Sequence, residues 1–255
     1  MNVAVTGATG QMGGAVTELA VERDDITVAF GVGRDPDAGR IAGVRVYRPR
    51  ELADLLDEQR PNVLIDFTTP EASVEIVQQA AAEAVPAVVG TTGFDEAQRQ
   101  ALEAAAEVVP VLIASNFSRG VQALRQAVRT AVGTLPEYDL EVTETHHNRK
   151  RDAPSGTANM LLDAIGETRG ESGRVHGRHG EQPREAGEIG VHARRAGGIR
   201  GEHEVLLAGN DEVLTLTHRA ESRRVFAAGA LDAAVWLAGQ RPDVYSFRDA
   251  LEAGA

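Results

Sequence analysis

A chain of 255 residues, 42% apolar and 25% charged, has the composition of a folded globular protein long enough to bury one large core or two smaller ones. A net charge of −12 argues against partners that require a basic face, so neither nucleic acid nor an anionic membrane surface is expected. The chain has no cysteine, hence no disulfide, thiolate nucleophile or cysteine metal site, and it has no run of 18 apolar residues and no basic leader before Asn2–Val5, so a cytoplasmic protein is expected.

In chain order, the first half alternates two periods. Asn2–Val5, Ile26–Gly31, Asn62–Phe67, Pro86–Gly90 and Val109–Ser115 are short Val/Ile-rich runs, the pattern of strands buried on both faces. Between them, Gln11–Glu22, Glu51–Gln59, Glu71–Glu83 and Asp95–Glu107 are rich in Ala, Leu and Glu, as helices are. Alternation of this kind gives a parallel sheet covered on both sides by right-handed crossovers, a doubly wound α/β fold.

The pattern changes near Asn116. A helix is expected over Gly120–Val132, a half-buried strand over "YDLEVTETHH", and a helix over Ser155–Thr168 capped by Ser155. Gly170–Gly187 is polar and glycine-rich and reads as a mobile loop. Strand-like runs at Ile189–Arg194, Glu202–Leu207 and Glu212–Ala220 precede a helix over Arg224–Leu237. This second region is α+β.

"GATGQMG", Gly7 to Gly13, follows the first strand and opens the first helix. Glycines there permit a tight turn and let a pyrophosphate approach free N–H groups at a positive helix end. After the second strand the chain reads Gly33, Arg34, with Asp35 and Asp37 beyond; an arginine there favours a 2′-phosphate, an acid the ribose hydroxyls. "GTTG" (Gly90–Gly93) and "ASNFS" (Ala114–Ser118) lie at further strand ends, where small and hydroxylated residues suit a nicotinamide.

The most specific stretch is "THHNRKRDAPSGTA". It holds Lys150, the only lysine among 26 basic residues. Ser155, Gly156 and Thr157 open a helix whose first N–H groups can take a carboxylate. His146 and Lys150 can each release a proton, which arginine cannot. A zinc site built on His176 and His179 lacks cysteine partners. The acid-rich, lysine-poor surface fits either adaptation to a high-salt cytosol or a GC-rich genome that encodes Arg and Ala freely, and 38 acids against 26 bases favour salt.

"GATGQMG", "IDFTTPEA", "VVGTTGF", "ASNFSRGV", "ETHHNRKRDAPSGTA", "GGIRGEHEVLLAG" and "LTHRAESRRVFAAGAL" together resemble the dihydrodipicolinate reductase family of lysine and diaminopimelate biosynthesis. The resemblance implies a dinucleotide-binding Rossmann domain over residues 1–117 and 228–255, and a substrate-binding and tetramerisation domain over 118–227. It implies reduction of 4-hydroxy-tetrahydrodipicolinate, a small dicarboxylate, with NADPH or NADH by a homotetramer without a metal. Carried over by position, Gly7, Ala8, Thr9, Gly10, Gln11 and Met12 would hold the pyrophosphate, and Gly90, Thr91, Thr92, Ala114, Ser115, Asn116 and Phe117 the nicotinamide side. His146 and Lys150 would be the acid–base pair, with His147, Ser155, Gly156 and Thr157 at the substrate carboxylates. Gly33 stands where the family often has an acid, leaving Arg34 to favour NADPH. Semialdehyde and acyl-phosphate reductases of similar architecture require a catalytic cysteine, and a nucleotide sensor would need no His-His-Lys group.

Overall fold

A computed structural model describes residues 1–34 and 39–253. The chain forms two compact units, residues 1–118 with 223–255, and 119–222.

The first unit is built on a sheet of mainly parallel strands. In chain order its elements are β1 (Asn2–Thr6), α1 (Gln11–Val21), β2 (Thr27–Val32), β3 (Arg40–Ile41), β4 (Val44–Tyr47), α2 (Leu52–Gln59), β5 (Val63–Asp66), α3 (Pro70–Ala82), β6 (Ala87–Val89), α4 (Glu96–Ala106) and β7 (Val111–Ile113). The strand order is β13-β7-β6-β5-β1-β2-β4-β3, in which β13 is Val244–Tyr245 near the C-terminus. The chain winds outward in opposite directions from β1 and β5, so their carboxyl ends form the switch point where doubly wound sheets bind ligands.

Val3, Ala4 and Val5 of β1 and Val63, Leu64 and Ile65 of β5 are fully buried, which is why both strands are continuous apolar runs. Helix starts are set locally. Asp95 accepts from the Gln98 N–H at 2.9 Å and caps α4, while Pro70 takes the first position of α3, where no N–H is needed. The late helix α7 (Arg224–Leu237) rejoins this unit, packing Ala227, Ala230, Leu231 and Ala234 into the β1–β5 core. Gly229 permits its close approach, since a Cβ there would lie 1.8 Å from the Phe117 carbonyl oxygen.

The second unit contains α5 (Arg119–Thr134), β8 (Asp139–His146), α6 (Gly156–Arg169), β9 (Arg174–His176), β10 (Ile189–Arg195), β11 (Glu202–Ala208) and β12 (Val213–Arg219). Its sheet is mixed, in the order β12-β11-β8-β10-β9. β8 pairs parallel with β10 and antiparallel with β11. Leu140 and Val142 of β8, Val205 and Leu207 of β11, and Ile189 and Val191 of β10 pack against Leu124, Val128 and Val132 of α5 and Leu161, Leu162 and Ile165 of α6. The opposite face, with Glu204 and Leu206 half-buried and Thr215 and Thr217 exposed, lies away from those helices.

One expectation fails here. Gly170–Gly187 is not simply a loop: β9 lies within it and pairs parallel with β10. Arg178 and Arg184 then tie the following residues to Glu188 and Glu141. Polar composition concealed a largely exposed strand whose place is set by its backbone pairing with β10.

Candidate active site

The glycine turn of the first unit is shaped by close backbone approach. Gly7 has φ +71°, and a Cβ on it would lie 2.2 Å from the Phe67 carbonyl oxygen; one on Gly13 would lie 2.2 Å from the Gly7 carbonyl oxygen. Gly10 is the N-cap of α1 and offers no side-chain cap, so the leading N–H groups of the helix are left for a ligand. A cavity of about 580 Å³ opens beside this turn, bordered by Thr9, Gly10, Gly33, Arg34 and Arg50. The cradle and cavity fit the phosphates and ribose of a dinucleotide.

Gly33 has a steric cause. A Cβ there would meet the Thr9 side chain at 2.5 Å, so an acidic side chain at 33 would require Thr9 to move. Arg34 is exposed at the cavity, and Asp35 and Asp37 lie outside the described residues.

The nicotinamide-side residues divide by environment. Thr92 and Ser115 are exposed, whereas Thr91 and Phe117 are buried, as is Ala8 in the glycine turn. Thr91 donates to Asp66 at 2.7 Å and accepts from the Thr68 N–H at 2.9 Å. Asp66, fully buried, also accepts from Thr6 at 2.6 Å and Thr68 at 2.8 Å. The Thr91 hydroxyl therefore braces the ends of β1, β5 and β6. Phe117 packs between Phe67 and Phe247, with ring centroids at 5.9 and 5.3 Å, and Asn116 accepts from the Ser118 N–H at 2.7 Å. Gly90 lets the Phe67 ring sit where a Cβ would be, 2.1 Å from the ring edge.

In the second unit, strand period sets the site. Leu140, Val142, Glu144 and His146 alternate along one face of β8, and the register places Leu207, Val205 and His203 of β11 and Arg195 of β10 on that same face. The face is apolar at one end and becomes ionisable at the other. Glu144 is fully buried. It receives two hydrogen bonds from Arg195, at 2.9 and 2.7 Å, and one from the Ser155 N–H at 3.1 Å, while one oxygen lies 2.6 Å from His146 Nδ1. Burial alone would favour the protonated acid; Arg195 and His146 outweigh it and hold the carboxyl below its ordinary range. For His146 burial is the largest influence and lowers its proton affinity, Glu144 opposes, and Lys150 and Arg195 add to the lowering.

β8 ends at His146, so His147 already lies in the turn, and the alternation that would have sent it to the other face no longer applies. Lys150 Nζ pairs with Asp152 at 2.9 Å. Ser155 caps α6, accepting from the Ala158 N–H at 3.2 Å, and lies 3.0 Å from His203 Nε2. Its hydroxyl is thus engaged internally. A Cβ on Gly156 would meet nothing within 4 Å, which leaves open space at the helix N-terminus for an anion beside the buried Thr157. Glu144, Arg195 and His203 are the site residues that sequence reasoning passed over. The signal for Glu144 was present: it continues the buried-face series of Leu140 and Val142 toward His146.

Among the described residues, no group of three or more His, Cys, Asp or Glu side chains is placed to hold a metal, and no helix is long and apolar enough to cross a membrane.

A doubly wound sheet with a glycine turn at its switch point, in one chain with a mixed sheet bearing a histidine–carboxylate site, defines an oxidoreductase of the nucleotide-binding class. Residues 1–117 match the family model for the dihydrodipicolinate reductase N-terminus and residues 120–251 that for its C-terminus. The chain is 58% identical to the 4-hydroxy-tetrahydrodipicolinate reductase of Natronomonas pharaonis and 53% to that of Haloarcula marismortui, each over 98% of this chain and 99% of the relative. A dipicolinate-bound dihydrodipicolinate reductase from Paenisporosarcina sp. TG-14 superposes with TM-score 0.78 at 25% identity, covering 96% of this chain and 97% of that one. The chain belongs to the dihydrodipicolinate reductase family, and the fold with these relatives implies a nicotinamide cofactor.

His203 yields a test of the buried face. Burial, then the neighbouring His146, push its pKa from 6.5 down to about 3. The unfolded imidazole takes up its proton first as pH falls, so stability fully present above 6.5 is lost between about 6.5 and 3, by up to about 1.4 kcal/mol per pH unit. Urea unfolding at several pH values from about 7 to 4 should show this slope, and His203→Gln should flatten it. Equal slopes would mean that His203 is not held neutral.

Proposed function

We propose that the chain reduces 4-hydroxy-tetrahydrodipicolinate to tetrahydrodipicolinate in lysine and diaminopimelate biosynthesis. The first unit binds the nicotinamide nucleotide and the second binds the dicarboxylate substrate. The observation that carries the reading is the juxtaposition at the end of β8: a carboxylate-backed His146 and the single lysine precede a helix N-terminus with open space at Gly156.

Loss of water from the hydroxy substrate leaves an electron-poor ring. A bound NAD(P)H supplies hydride to one ring carbon. The adjacent carbon must then gain a proton, completing the addition of two hydrogens. The N-terminus of α6, with Gly156 and Thr157, takes a substrate carboxylate, and His147 a further polar contact. His146 and Lys150 manage the proton, a role worth roughly 10²–10⁴ in rate. Gly7 to Met12 hold the pyrophosphate, and the backbone at Gly90–Thr92 and Ala114–Phe117 borders the nicotinamide.

Lys150 separates charge from chemistry. A guanidinium could pair with Asp152 as well as the ammonium does, so a mere countercharge would tolerate Lys150→Arg. A compact proton-transferring ammonium would not, and Lys150→Arg should lower kcat by roughly 10²–10⁴ with the fold intact, while His146→Gln lowers kcat more than cofactor affinity. Unchanged kcat and KM for Lys150→Arg would end the special role.

NADPH is used at least as well as NADH. A side chain at position 33 would displace Thr9, and Arg34 borders the cavity. Arg34→Ala should selectively reduce kcat/KM for NADPH, and an equal loss with both cofactors would make Arg34 a bystander.

The assembly is a homotetramer adapted to high salt. The outward face of the second sheet carries Thr215 and Thr217 exposed and Val213 60% exposed, a surface suited to burial against further copies. With net charge −12, self-repulsion falls as salt shortens the Debye length to about 3 Å at about 1 M. In molar KCl, light scattering should give four copies per particle with an intact circular dichroism spectrum. Monomers, or progressive unfolding across that range, would count against this reading.

A further inference from the structure

The environment of His146 carries a consequence for its tautomer. A neutral imidazole has one N–H, and an ionised carboxylate can only accept. Glu144, held ionised by Arg195, therefore requires the proton on His146 Nδ1, which leaves Nε2 as the atom that gains and loses a proton. Position 201 bears no side chain to crowd Nε2; a Cβ on Gly201 would lie 3.1 Å from it.

A carboxylate in this position ordinarily makes a histidine more basic. Here its charge is already engaged, because the Arg195 fork covers both oxygens and donates as well to the Asp152 carbonyl at 2.6 Å. The groups facing the ring are Glu144 on its own strand, Arg195 on β10, His203 on β11 with its ring 5.1 Å away, and Lys150 with Asp152 in the turn. His218 on β12 lies beyond His203, opposite it in register. Two carboxylates and two cations thus lie close to His146, Glu144 paired with Arg195 and Asp152 with Lys150.

We propose that Glu144 and Arg195 act as a positioning pair for His146, Glu144 fixing the ring with its proton on Nδ1 and Arg195 cancelling the charge by which that carboxylate would otherwise retain a proton on Nε2. The catalytic importance of the pair rests on the reaction proposed above; the pair itself does not.

Nitrogen NMR titration of the imidazoles in the full-length protein tests both parts. The wild-type His146 should be neutral near pH 7 with Nδ1 protonated. Glu144→Gln, which removes the attractive charge, should lower the His146 pKa and admit the second tautomer. Arg195→Gln, which frees the carboxylate, should raise the pKa, each shift being about one unit or more. Loosened packing would move both variants the same way, toward the solvent value, so opposed signs distinguish tuning from structural support. Should Arg195→Gln fail to fold, Arg195→Lys, which loses the two-pronged contact, should show a smaller rise. Shifts of the same sign, no shift, or an Nε2-protonated neutral ring in the wild type would overturn the pairing. Opposed NMR shifts that leave the pH profile of kcat/KM in place would uphold the pair and overturn His146 as the acid–base group.

Discussion

The carboxylate of Glu144 is the constraint around which the second unit is arranged. An unpaired buried charge costs several kcal/mol, and Glu144 is fully buried. Its satisfaction requires three separate parts of the chain: Arg195 from the parallel neighbour β10, the Ser155 N–H from the start of α6, and His146 two residues along its own strand. A slip of one residue in the β8–β10 register would carry Glu144 to the other face and leave Arg195 without its carboxylate. The pairing that orients the histidine therefore also fixes the strand register and the start of the helix whose N-terminus faces the open space at Gly156.

The first unit solves a similar problem without a cation. Asp66 is as deeply buried as Glu144, yet its partners are the hydroxyls of Thr6, Thr68 and Thr91. Those threonines come from β1, from the turn after β5 and from the segment after β6, so the acid gathers the strand ends around the glycine turn. Neutral donors there brace the backbone without adding a positive side chain beside the nucleotide cavity. In the second unit the partner is a cation, and the carboxylate it engages also touches a titratable ring.

Most of the parallel sheet was legible because its strands are short apolar runs separated by helical ones, and α7 follows the boundaries its composition suggests, Arg224–Leu237. What escaped is brief, polar or, as in β4 (Val44–Tyr47), only partly buried. β3 and β13 have two residues each, too few for a period to register, and β9 lies in a glycine-rich stretch whose pairing depends on β10. At the site, His146, Lys150 and Ser155 stand out locally because they cluster around one turn. Arg195 is one arginine among many, and only the register with β8 distinguishes it. His203 looks like an ordinary polar residue until its alternation with Val205 and Leu207 places it on the buried face.

The two cations near His146 meet their partners in different ways. Arg195 meets both oxygens of one carboxylate and a backbone carbonyl at once, which needs a planar fork with several donors. A lysine, whose three donors sit on one nitrogen, could not reproduce that fork across both oxygens. Lys150 stands in the opposite situation, since its side chain, 21% exposed, meets one oxygen of an exposed acid, Asp152. Such a contact uses little of what a guanidinium offers and leaves the compact ammonium available to a substrate. The geometry thus demands arginine at 195, whereas at 150 it imposes no such demand.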